Sequence, residues 1–130
     1  MIRKVTGLLL AVLILAAGAS QAQHKLQTGV WRGVLKMPTG EVPFNFEVKN
    51  TGNNAEIAII NGTERFRVPD IKYYGDSVLI TMPLFDSEFH LKQEKDGGLN
   101  GKWVRRLGLS NAYIDFSASP NTAYRFLKTP

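Results

Sequence analysis

Val42-Pro43-Phe44-Asn45-Phe46-Glu47-Val48-Lys49 sets a large apolar residue at every second position and fills the gaps with polar residues or proline. Successive side chains of a strand point to opposite faces, so Val42, Phe44, Phe46 and Val48 share a dry face. Pro43, Asn45, Glu47 and Lys49 share the wet one. The dry face needs cover, and the flanking sequence supplies it in kind. Upstream, Gly29 to Met37 reads as a strand with Trp31, Leu35 and Met37 on one side. Pro38-Thr39-Gly40 then turns the chain back, which makes the pair a β-hairpin.

Downstream the same grammar repeats. Asn50 to Asn54 is a turn cluster, and Ala55 to Ile60 a strand with Ile57 and Ile59 inward. Asn61-Gly62 has the composition of a type I′ hairpin turn, and Thr63 to Val68 is the return strand, ended or edged by Pro69. Ile71 to Tyr74, Ser77 to Met82, a segment bearing Phe85, Phe89 and Leu91 that runs to about Glu94, and Leu99 to Arg106 follow, separated by Gly75-Asp76 and Asp96-Gly97-Gly98. Ile114 and Phe116 mark a further strand, and Ala123 to Leu127 a last one. Outside the N-terminal segment no window of helical length carries an apolar 3.6-residue stripe. The expected fold is therefore all-β, an antiparallel meander curled into a small barrel or sandwich, lipocalin-like in outline. Trp31, Phe44, Phe46, Phe89 and Trp103 are its expected core, because aromatics bury the most area.

The chain has 130 residues, room for one domain. Met1-Ile2-Arg3-Lys4, the apolar run Leu8 to Ala17, and the small and polar Gly18 to Ala22 have the three-part layout of a secretory signal peptide with a cut before Gln23. The run is shorter than the roughly 20 residues of a spanning helix. Residues 1–22 are thus expected to be a signal helix and 23–130 a single exported β-domain, periplasmic or in the cell envelope, with no stable membrane insertion after cleavage.

There is no cysteine, hence no lipid-anchor cysteine, no disulfide framework, no thiol nucleophile and no thiolate metal site. Of 16 basic residues, Arg3 and Lys4 lie in the signal; the other 14 face 11 acidic ones, an excess of +3 dispersed along the chain. Nucleic-acid binding calls for clustered cations with interleaved aromatics, so no nucleic-acid partner is expected.

Asp86 and Glu88 stand two apart on an expected strand, roughly 6.6 Å between Cα atoms at about 3.3 Å per residue. Two carboxylates near that spacing suit glycoside hydrolysis, but on a strand they more commonly meet cross-strand cations, here Lys102, Arg105 or Arg106. Ser87 and His90 fall on opposite faces, which argues against a hydrolytic triad with Asp86. With His24 and His90 the only histidines, no zinc or calcium ligand spacing is present. Asn61-Gly62-Thr63 matches the glycosylation sequon, yet the turn alone explains Asn and Gly. Gly29-Val30-Trp31 is similar to the Gly-x-Trp opening of lipocalins, although a tryptophan plugging the base suits any small barrel.

A wider likeness lies in the order of Trp31-Arg32-Gly33-Val34-Leu35, Glu41 to Val48, Ile60 to Arg65, Gly75-Asp76-Ser77-Val78, Met82 to Phe89 and Gly101-Lys102-Trp103, with Tyr124-Arg125-Phe126 beyond. This order resembles the N-terminal β-domain that precedes the thioredoxin fold in exported TlpA-like disulfide reductases of Bacteroidetes. In that family a downstream Cys-x-x-Cys does the redox work, and this chain has no cysteine, so no catalytic residue carries over. The resemblance implies a non-enzymatic accessory module whose partner is a downstream thioredoxin-like domain or an envelope protein. The alternative is a lipocalin-like carrier of a small apolar ligand. No catalytic, cofactor or metal residue is assigned. Trp31, Arg32, Asp86, Glu88, Trp103 and Arg105 are the expected ligand or partner contacts.

Overall fold

The computed structural model describes residues 25–52 and 54–126. The expected signal peptide lies outside the described residues, as does Leu127. Nine strands follow one another: β1 Gly29–Met37, β2 Gly40–Thr51, β3 Asn54–Asn61, β4 Glu64–Val68, β5 Asp70–Tyr74, β6 Ser77–Thr81, β7 Ser87–Gln93, β8 Leu99–Arg106 and β9 Asn111–Ser119. No helix occurs among the described residues. The strands form one antiparallel sheet in the order β4-β3-β2-β1-β9-β8-β7-β6-β5, which curls into a nearly closed barrel.

The two edges of that sheet are β4 and β5, and a single residue, Pro69, separates them. Counting antiparallel neighbours round the sheet from β1 makes β4 and β5 run in the same direction. They are two halves of one bent strand, the first paired with β3 and the second with β6, and its start in β5 also lies against β3. Proline suits this place, because the missing N–H costs no ladder bond where the strand changes partners. In effect the fold is an eight-stranded up-and-down meander whose seam is the bend. Phe66 stands opposite Ile59 on the inner face yet remains exposed, because it sits on the seam.

The interior follows the alternation read from sequence. Trp31, Phe46, Val48, Ile57, Val78, Ile80, Phe89, Leu91 and Phe116 are buried together, with Leu35, Phe44, Met82 and Trp103 packed around them. Trp31 stacks on Phe46 at 5.7 Å and Phe89 on Trp103 at 6.0 Å, while Phe116 meets Phe89 edge-on at 4.9 Å. Phe44 and Phe116 lie 5.9 Å apart across Gly33, where an added Cβ would come within 2.8 Å of the Phe116 ring. Gly33 is therefore glycine so that two rings can cross it. Of the expected core aromatics, Phe44 and Trp103 are only half-buried, and Val42, on the inner face, is exposed near the rim.

Three local expectations are corrected. At the β3–β4 hairpin the loop is Gly62-Thr63, and only Gly62 has a positive φ, which fits a type II′ turn rather than I′. Asp86 belongs to the turn before β7, not to the strand, because Phe85 and Asp86 both take positive φ and break the extended chain. Residues 123–126 are not a strand; they form a strap over the outer face of β1 and β2, held by side chains rather than by a ladder.

Candidate functional site

Strand direction sorts every connection to one end of the barrel or the other. The lead-in and the β2–β3, β5–β6 and β7–β8 turns lie at one end; the β1–β2, β3–β4, β6–β7 and β8–β9 loops lie at the other. The first end is plugged. Leu26 is buried beneath the barrel with its amide 3.3 Å from the Tyr73 hydroxyl, and Trp31 fills the base, its indole Nε1 donating to the Gln27 carbonyl at 2.8 Å. The turns around it, Gly52, Gly75-Asp76 and Glu94 to Gly98, bring no large apolar side chain.

The opposite, loop end is built differently. Pro83-Leu84-Phe85-Asp86 and Leu107-Gly108-Leu109-Ser110 rise from strands next to one another, and Leu84, Phe85, Leu107 and Leu109 are all exposed, Phe85 to 76%. A positive φ at Phe85 is uncommon for a bulky residue and stores roughly 1–3 kcal/mol of strain. Arg106 holds the turn. Its amide donates to the Asp86 carbonyl at 3.1 Å, its Nη1 to Asp86 Oδ1 at 3.3 Å, and its Nη2 to Glu88 Oε1.

The six expected contact residues thus fall into four places. Trp31 is a structural plug. Asp86 and Glu88 share Arg106 on the outer face, the cross-strand ion pairing weighed from the sequence, and Glu88 also pairs with His90 Nε2 at 2.9 Å. The His90 hydrogen bond, with Arg106 beside it, holds the Glu88 carboxyl below the usual glutamate range despite its partial burial. Trp103 and Arg105 line the inner face at the loop end, the Arg105 guanidinium 5.1 Å over the indole ring. Arg32 lies outside, under the strap.

That strap was not legible from composition. Asn45, expected on the wet face, is only 8% exposed. Its amide donates to the carbonyls of Trp31 and Thr122 at 3.1 Å and of Tyr124 at 3.3 Å. Arg32 Nε donates to the Arg125 carbonyl at 2.9 Å and its guanidinium lies 5.1 Å over the Tyr124 ring, while Arg125 Nε reaches the Pro43 carbonyl at 3.2 Å. The strap climbs from Val30, where the Thr122 amide is bonded, to the level of Arg32 and Pro43 in mid-strand, and Phe126 beyond it is 68% exposed. Sequence motifs far apart in the chain, Trp31-Arg32-Gly33, Pro43-Phe44-Asn45 and Tyr124-Arg125-Phe126, are thereby one device.

Inside the barrel an apolar cleft of about 20 Å³ runs between Phe44, Ile59, Ile80, Met82 and Phe89. It has room for little more than a water molecule. Such a filled, antiparallel, nearly closed barrel with one plugged end and one apolar end defines the class of the protein. Comparison with known proteins finds no family model, no curated protein and no solved structure that matches the chain.

Proposed function

We propose that the chain is an exported, non-catalytic β-barrel module that docks a partner on its loop end, in the manner of the accessory domain of TlpA-like reductases. The observation that carries the reading is the contrast between the two ends: exposed Leu84, Phe85, Leu107 and Leu109 sit on two neighbouring loops at one end, whereas at the other the only exposed large hydrophobic among the described residues is the amphipathic Tyr74 that closes β5. Contiguous exposed apolar side chains rimmed by polar ones mark interaction sites. The partner proposed is an exported thioredoxin-fold domain of TlpA type.

The test is titration of the labelled protein with such a domain, followed by NMR. Amide signals of residues 84–85 and 107–109 are expected to shift while those of 75–76 and 94–98 stay put. Shifts confined to the latter, or none at all, reject the reading. A small apolar ligand held in the lumen would need of order 300 Å³, against the 20 Å³ cleft, so it is not part of the proposal.

A further inference from the structure

Three polar atoms on the inner face of the loop end have no hydrogen-bond partner among the described residues: Ser87 Oγ, Trp103 Nε1 and Arg105 Nε. They form one cluster. Ser87 and Arg105 are directly opposed across the β7–β8 ladder, Phe89 and Trp103 are the next inward-facing pair, and Arg105 lies over the Trp103 ring. Ser87 is only 3% exposed. Buried donors without acceptors are costly and rare, and three in one patch ask for a common explanation.

The arginines sharpen the point. Among the described residues Arg32 and Arg125 donate to backbone carbonyls, and Arg65, Arg67 and Arg106 to carboxylates. Arg105 alone has neither, and no described carboxylate faces it within salt-bridge distance. All three unpartnered atoms can donate, one from a permanent cation, so the missing group is an acceptor and an anion. An apolar setting adjoins it: Phe89, stacked on Trp103, also walls the apolar cleft, and the loops bearing Leu84, Phe85, Leu107 and Leu109 spring from the same two strands.

We infer that Ser87, Trp103 and Arg105 form a carboxylate-binding site at the mouth of the barrel, and that its ligand is a small monocarboxylate with a short apolar body. Arg105 is the cover. It is partly exposed, lies over the indole face and stands opposite Ser87 across the ladder, so moving it aside opens this corner of the inner face while keeping the guanidinium in reach of the incoming carboxylate. The cleft is too small for a long chain, so the apolar body rests among the loops rather than in the lumen. The site belongs to the docking end proposed above but does not need the partner.

The test uses the full exported chain, ¹⁵N-labelled, titrated with octanoate, octanol, acetate and butyrate while both indole N–H signals are followed. Octanoate is expected to move the Trp103 indole and leave that of Trp31, already bonded to Gln27, in place. Octanol, which lacks the charge, should bind at least 10-fold more weakly. From acetate to octanoate each methylene should tighten binding by up to about fourfold. Arg105→Met should weaken octanoate at least 10-fold, and Arg105→Lys should retain part of the affinity. Equal affinities for acid and alcohol, or an unmoved Trp103 indole at millimolar octanoate, overturn the site without recourse to any variant. If octanoate fails while the thioredoxin-fold domain still shifts the loop amides, the carboxylate site is wrong and the docking reading stands; octanoate binding without docking supports the site alone.

Discussion

The two ends of this barrel are made from the same kind of strand and end in opposite ways. At the plugged end Leu26 and Trp31 close the interior, and the described turn residues are Gly, Asp, Glu and Lys, with Tyr74 exposed at the close of β5. At the loop end the interior thins to half-buried Trp103 and Arg105, the turns carry exposed leucine and phenylalanine, and the Phe85-Asp86 backbone is strained. Stability is concentrated where side chains are satisfied, and the strained, underpaired end is the one to which we assign binding. A barrel whose ends were equivalent would show neither the plug nor the patch.

The largest effect should come from the plug. Trp31→Ala removes a fully buried ring stacked on Phe46 together with the indole bond to Gln27, and is expected to destabilise the protein by roughly 3–5 kcal/mol. Phe46→Ala should fall in the same range. Chemical denaturation checks both: an unchanged midpoint for Trp31→Ala would mean the base is not what holds the barrel shut.

Next in size is the strap. Asn45→Ala leaves the Thr122 and Tyr124 carbonyls without their donor, and the expected cost is about 1–3 kcal/mol. Hydrogen exchange at the Thr122 amide, bonded to the Val30 carbonyl, should speed up more than exchange within β7 and β8. Uniform acceleration across the barrel would show that Asn45 serves the sheet and not the strap.

The strap also shows where the sequence stops being readable. Period-two alternation placed β1, β3, β6 and β8 to within a residue at each end and β2 to within two, because burial of one face demands it. It assigned Asn45 to solvent for the same reason, since alternation knows nothing of a segment that returns 77 residues later to cover that face. Asp86 was misplaced because a two-residue run of positive φ at Phe85 and Asp86 has no glycine to announce it. Of the site, the pairing of Asp86 and Glu88 with a β8 arginine was legible from charge and register. The three unpartnered donors were not, because satisfaction of Ser87 or Arg105 depends on what the ladder sets opposite them.

A smaller effect tests the outer wall of the loop end. Glu88 has its pKa lowered by His90 and Arg106, so its contribution to stability is present above the ordinary glutamate value of 4.5 and is lost as pH falls through the lowered folded value. Glu88→Gln removes that contribution. Denaturation midpoints of the two proteins should differ at pH 6 and converge in acid below the ordinary glutamate range (pH ~4). A gap that persists unchanged in acid would mean the substitution acts through packing instead of charge.

The smallest stability effect belongs to the apolar loops, and it is the one that separates the ends most cleanly. Leu84 and Leu109 are exposed, so Leu84→Ser and Leu109→Ser should each change stability by no more than about 0.5 kcal/mol. The same pair of changes shrinks the exposed apolar patch that we assign to the partner, and should weaken docking of the thioredoxin-fold domain several-fold. Binding lost with the midpoint unmoved places these side chains in recognition. A fall in stability comparable to Asn45→Ala, with docking unaffected, would mean that Leu84 and Leu109 cap the barrel as Leu26 does below, and that the two ends differ in composition but not in purpose.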